Sequence, residues 1–274
     1  MRINIRHRTI YHYDHPIRFS AQYLRLTPRT NASQRVLRWS VEGEGRLTPW
    51  SDGFGNLCHT LVNDELVDQV VVDATGVVET TDVAGILPEE GILPIKVYLR
   101  PTPLTRLDPA IRSFVAPLEK VVRANRLEGA HALSNALADR IVYEEGSTHV
   151  HSTASEVLQD GVGVCQDMAH IFIACARALG LPARYVSGYL YTGNDTQTQV
   201  ASHAWAAVWI EDLGWVSFDL ANRVCGTERH VGIAFALDYA GAAPVRGIRS
   251  GGSAREILDV QVTVSAQAVV SAQA

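Results

Sequence analysis

The chain has 274 residues, 47% of them apolar and 19% charged, with a net charge of −5. That is enough chain for one large domain or two modest ones, and the balance is that of a globular rather than a disordered protein. So mild a charge gives no reason to expect a nucleic-acid partner, and no apolar run reaches membrane-spanning length.

Residues 1–100 read as β-rich. Ile3, Ile5, Leu24, Leu26, Leu37, Trp39 and Val41 lie in alternating stretches, residues 66–78 are rich in valine, and the breaks carry Pro or Gly (Pro16, Pro49, Gly53). The expected unit is a β-sandwich. Residues 1–40 hold eight arginines and one acid, whereas residues 41–90 hold eleven acids and one base. On neighbouring strands these charges would pair across a sheet. His7, His12 and His15 are scattered and have no accompanying ligand set, so no metal is expected there. The first residues have neither an apolar core nor a small-residue cleavage site, so they do not read as a signal peptide. The four cysteines have no close-pair spacing, and a reducing cytoplasm is the expected location.

Residues 91–107, with Pro94, Pro101 and Pro103, read as a linker to a second domain spanning 101–274. Residues 108–122 and 128–141 predict helices, the second with Leu133, Ala136, Leu137 and Ile141 as its apolar stripe. Residues 143–151 predict an extended segment that would set His149 and His151 on one side. Thr153 and Glu156 have capping-box spacing for a short helix ending near Gly161. Gly161 and Gly163 then precede Cys165, and Met168, Ile171, Phe172, Cys175 and Leu179 recur at helical spacing until Gly180 and Pro182 end the run. Residues 183–191 predict a strand with Tyr185, Ser187 and Tyr189 on one face. Polar residues 193–199 would form a lip before the next strand, which opens with His203. Residues 215–218 predict its neighbour, with Asp219 at the end. Residues 230–236 and 257–264 alternate as further strands.

The chemistry sits in the second domain. A cysteine at a helix N-terminus faces unpaired backbone N–H groups and the positive end of the helix dipole, both of which favour thiolate over thiol. Taken singly, Cys165 reads as a core residue, His203 as a strand-edge histidine and Asp219 as a turn residue. Together, in that order and on those elements, they form a nucleophile, a base and an orienting carboxylate. Gln166, beside the cysteine, and Tyr189, on the adjoining strand, are candidate substrate contacts.

The motifs GVCQDMAH (163–170), LGLPARYVSGYLY (179–191), SHAWAAVWI (202–210) and GWVSFDLAN (214–222) resemble the core motifs of bacterial transglutaminase-like proteins. YLRLTPR (23–29) and DGFGN (52–56) resemble the β-rich domain that precedes this core in one bacterial subfamily, and DYAGAAPVRG (238–247) its C-terminal motif. The resemblance implies an α+β fold: an N-terminal β-sandwich followed by a papain-like transglutaminase core with helices packed on an antiparallel sheet. It also implies a Cys165–His203–Asp219 triad acting on a peptide or protein substrate without a cofactor, by hydrolysis in this bacterial branch, with amine transfer as the alternative. A catalytically idle peptide-binding module is the alternative from another class. Family members often continue Asp-Pro-Thr-Asn where this chain has Asp219, Leu220, Ala221 and Asn222. The tryptophan that helps to stabilise the oxyanion in animal transglutaminases has no counterpart between Trp50 and Trp205. The Cys165 backbone N–H is the first candidate donor in its place.

Overall fold

The computed structural model describes residues 1–88, 91–193, 202–250 and 254–267. Residues 194–199 of the expected polar lip and the glycine pair at 251–252 lie outside the described residues.

Six strands come first: β1 (Arg2–Ile17), β2 (Phe19–Thr27), β3 (Gln34–Gly43), β4 (Arg46–Ser51), β5 (Leu57–Asn63) and β6 (Val67–Thr80). Alternation drives their placement. In β1, Ile3, Ile5, Tyr11 and Tyr13 are buried while Arg2, Arg6 and His12 face water. A short β7 (Ile86–Leu87) precedes the helices α1 (Pro109–Val115), α2 (Glu119–Ala124) and α3 (Arg126–Arg140). Then follow β8 (Val142–Tyr143), α4 (Ala154–Asp160), β9 (Val162–Gly163), α5 (Cys165–Ala178), β10 (Ala183–Leu190), β11 (Ser202–Ile210), β12 (Gly214–Phe218), β13 (His230–Ala236), α6 (Tyr239–Ala242), β14 (Val245–Ser250) and β15 (Glu256–Gln267).

Two four-stranded antiparallel sheets, β15-β1-β6-β3 and β14-β2-β5-β4, enclose one apolar core built from Ile3, Ile5, Leu24, Leu26, Leu61, Val72 and Val264 among others. A five-stranded antiparallel sheet, β13-β10-β11-β12-β7, carries α5 on one face. The chain is therefore α+β, a sandwich joined to a helix-covered sheet, as expected. The charge asymmetry resolves as ion pairs across β1, β6 and β3: Arg2 and Arg35 with Glu79 at 3.2 and 2.5 Å, and Arg6 and Arg8 with Asp73 at 3.7 and 3.3 Å.

Three particulars differ from the sequence reading. A cut at residue 100 does not separate the two units, because β14 and β15 return from the far end of the chain to complete the sandwich sheets, and β7 joins the second sheet. Residues 91–107 are not a loose tether. They wind through a 3-10 turn at Ile95–Leu99 that buries Tyr98 against Trp215, ring centroids 4.8 Å apart. Residues 143–151 do not extend beyond Tyr143. His149 and Ser152 exchange hydrogen bonds in a turn, and His149 and His151 are exposed.

Helix α5 is the axis of the second unit. Residues 171–176 (Ile-Phe-Ile-Ala-Cys-Ala) are all inaccessible, because the helix is covered by the sheet on one side and by α1, α3 and α4 on the others. An all-round apolar helix has nowhere else to go.

Candidate active site

The chain reaches α5 through a tightly specified approach. Thr153 and Glu156 cap α4 reciprocally, with the Thr153 N–H and hydroxyl donating to the Glu156 carboxylate at 2.8 and 2.9 Å. Gly161 ends α4 in the left-handed region at φ 73°, which suits glycine. A side chain at Gly163 would meet Asp167 Cβ at 2.9 Å, so the chain crosses the helix start only because that position is bare. Asp167, wholly buried in the first turn, accepts the Val164 N–H at 2.9 Å and the Thr148 hydroxyl at 2.6 Å. It thus pins both the helix start and the preceding turn. Cys165 is the first residue of α5 and is half-buried. Helix geometry leaves its backbone N–H without an intrahelical acceptor.

His203 opens β11, and β12 pairs beside it, ending at Phe218. Asp219 follows at once, held by backbone bonds in both directions with Val224. The His203 ring lies close enough to the Cys165 side chain for the two to bear on one proton, and its Nε2–H donates to Asp219 Oδ2 at 2.7 Å. With Nε2 committed to the carboxylate, Nδ1 is the nitrogen left for the sulfur. Fold and hydrogen bonding therefore bring Cys165, His203 and Asp219 into one chain of contacts. Burial lowers the affinity of His203 for a proton, but hydrogen bonds and charge from Asp219 and Cys165 outweigh it and raise the imidazole to about 9. Burial likewise penalises charged Asp219, yet hydrogen bonds from His203, His230 and Asn222 hold it well below the usual carboxylate range.

Two residues on Asp219 went unread in the sequence. Asn222 donates its side-chain N–H to Oδ2 at 2.7 Å and its backbone N–H to Oδ1 at 3.3 Å. His230, first residue of β13, donates from Nε2 to the same Oδ2 at 3.0 Å. The ligand-type atoms of His203, Asp219 and His230 lie within 4.8 Å of one another. Two N–H donors converging on one carboxylate oxygen make a hydrogen-bonded cluster rather than a chelate, since no pair of lone pairs is left aimed at a common centre. Tyr143, half-exposed beside the turn, lies within electrostatic range of Cys165 and Asp219. Burial and then their charges raise its phenol.

The two candidate substrate contacts are placed differently. Gln166 is half-buried and donates to the Val150 carbonyl at 3.3 Å, which ties it to the 149–152 turn. Tyr189 has no surface to offer a substrate. It is fully buried in the core shared with the sandwich, its hydroxyl 3.0 Å from His7 Nδ1. The register of β10 against β13 shifts between Ser187 and Gly188, where β13 carries Ile233 as an extra residue, while β10 itself keeps its alternation. Tyr185 packs in the core beside α5, and Tyr189, further along the same face, joins the sandwich core.

Comparison with known proteins accounts for both units. Residues 115–220 match the transglutaminase-like superfamily, and residues 3–79 match the bacterial transglutaminase-like N-terminal region. An uncharacterised protein of Mycobacterium leprae is 30% identical over 281 aligned residues, covering 96% of this chain and 98% of its own length. The chain belongs to the transglutaminase-like superfamily. An uncharacterised protein of Mycobacterium tuberculosis is 31% identical over 295 aligned residues, covering 96% of this chain and 92% of its own length. The same fold is seen in the crystal structure of a proposed cysteine protease from Cytophaga hutchinsonii, with a TM-score of 0.71 at 22% identity over 97% of this chain and 91% of that one.

Proposed function

We propose that this transglutaminase-like protein is a cysteine-nucleophile enzyme that cleaves peptide or amide bonds through a thioester on Cys165. The observation that carries the reading is the run from Cys165 through the neighbouring His203 to Asp219, at the half-buried start of an otherwise buried helix.

The chemistry follows from that run. The Cys165 thiolate attacks the substrate carbonyl carbon, and charge builds on the carbonyl oxygen near the Cys165 N–H. Imidazolium His203 gives its proton to the leaving nitrogen as the C–N bond breaks, leaving a thioester and a neutral imidazole. Water then gives a proton to His203 and attacks the thioester, releasing acid and thiolate. Asp219 stabilises the imidazolium and fixes the ring. An amine in place of water would make the product an exchanged amide by the same steps, which is the transglutaminase outcome.

Iodoacetamide labelling of Cys165 tests the reading. Fast labelling at about pH 6, where an ordinary thiol is almost wholly protonated, is expected in wild type and lost in His203→Ala. Peptide amides would then be assayed with and without a primary amine, and free acid is the expected product in both. Slow labelling that is indifferent to His203 would favour the idle binding module. Amine incorporation exceeding hydrolysis would make the protein an amine transferase.

A further inference from the structure

We propose that His230 is a positioning residue for this centre, a neutral imidazole held in one tautomer by Thr227 so that its Nε2–H fixes Asp219 against His203. The inference rests on the reading of Cys165, His203 and Asp219 as the reacting set and adds a fourth member to it.

The tautomer follows from hydrogen bonding alone. The Thr227 backbone N–H points at His230 Nδ1 at 3.1 Å, and the Thr227 hydroxyl lies 3.3 Å from the same atom. A backbone N–H can only donate, so Nδ1 must accept and carries no proton. The single ring proton is then on Nε2, where Asp219 Oδ2 accepts it at 3.0 Å. The His230 N–H returns to the Thr227 carbonyl at 3.1 Å, which closes a rigid turn around the ring. The imidazole is 6% exposed and packs edge-on to Trp205, centroids 5.2 Å apart. It has no room to flip without breaking both bonds.

Neutrality is what suits the role. His203 must carry a positive charge beside Cys165, and its ring lies only 6.2 Å from that of His230. A second imidazolium there would repel the first and weaken the ion pair. Protonating Nδ1 would also set two donors, that nitrogen and the Thr227 N–H, against each other. Arg29 and Arg184 line the cavity of about 140 Å³ that His230 shares with Trp205 and Trp215. Asp219 is the facing acid, and it is already hydrogen-bonded to His203 and Asn222. His230 therefore supplies a donor to Asp219 without supplying a charge. It plays the part that a histidine-bound carboxylate plays around many reactive centres, one contact removed from the chemistry.

The test uses the full chain with ¹⁵N-labelled histidine. Long-range proton–nitrogen spectra distinguish the two neutral tautomers and the cation, and His230→Gln identifies the signal. At about pH 8, the His230 proton is expected on Nε2 with Nδ1 bare, while His203 shows the imidazolium pattern. A His230 protonated on Nδ1 there overturns the proposal. Cys165 labelling supplies the second arm. His230→Gln keeps an N–H donor at the Nε2 position and should label within about threefold of wild type at pH 6, whereas His230→Leu should fall roughly tenfold or more. A folded His230→Leu with the wild-type pH profile also overturns the proposal. Should that variant fail to fold, the tautomer in the wild-type protein decides. Wild type that does not label at all refutes the acyl-transfer reading itself, and the spectra then report on His230 separately.

Discussion

The two ends of α5 carry a cysteine and a cation each, and they are built for opposite purposes. At the N-terminal end, Cys165 is half-buried beside His203, whose charge depends on pH. At the C-terminal end, Cys175 is inaccessible, and burial pushes its thiol far above the ordinary range. Arg177, two residues on, donates to the carbonyls of Tyr98, Ala183 and Leu237 and to the Thr105 hydroxyl at 2.7 to 2.9 Å. That end ties the 91–107 strap, β10 and the segment after β13 to the helix. The same helix thus sets a half-buried cysteine where it meets solvent and a fastening where it does not. What separates the two sulfurs is surroundings rather than residue type.

The contrast breaks most visibly at the cysteines. Cys165→Ser should abolish rapid thiol labelling in the native protein and lower amide cleavage by roughly 10,000-fold. Cys175 is sealed, and burial followed by the Asp52 charge pushes Cys58 up to about 11. Mass mapping of the labelled protein checks this, and rapid native labelling at Cys175 would erase the distinction.

Arg177→Met attacks the other end. It leaves three buried carbonyls without their donor, at a cost of about 3–5 kcal/mol, or a melting point lower by about 10 °C. Urea unfolding measures it, and Cys165 in the folded variant should label as in wild type. A matching loss of labelling would mean that the two ends are not independent.

The smallest effect is on pH-dependent stability at the Cys165 end. His203 is raised from 6.5 to about 9, so its contribution is complete below pH 6.5 and disappears as pH rises through about 9. Asp219 is lowered from 3.8, so its contribution is present above that value and disappears as pH falls toward its depressed one. Both shifts describe one pair and are not added. The pair is most favourable between those limits and is worth on the order of 3 kcal/mol there. Melting curves of wild type and His203→Gln from pH 5 to about 10 should converge as pH rises. Parallel curves would mean that the pair contributes nothing to folding.

Local signals carried most of this arrangement. Cys165 follows two glycines at a helix start, His203 opens an alternating strand, and Asp219 closes the next one, so residue type and element agree at each position. His230 also opens an alternating stretch, but its partner is fixed by β13 pairing with β10, a contact that no short window of sequence contains. The only local trace is the polar turn Thr227-Glu228-Arg229 before it. Tyr189 misled for a related reason. Alternation assigns it the face of Tyr185, but the core that this face meets changes along β10, from the one beside α5 at Tyr185 to the sandwich core at Tyr189, and no local signal records the change. Strands β14 and β15 were legible as strands or as motif, but not as members of the first sandwich, because pairing across more than two hundred residues leaves no periodicity.

That return of the chain has a consequence for synthesis. β1 lies between β6 and β15, with Arg2 opposite Gln267 and Tyr13 opposite Glu256. While the polypeptide is still emerging from the ribosome, β6 covers one side of β1, and the other side stays an open edge until residues 256–267 appear. An unpaired strand edge of that length is a template for wrong partners. The nascent protein must either be shielded by a chaperone through most of its translation or delay assembly of its first-made strands until its last-made ones arrive.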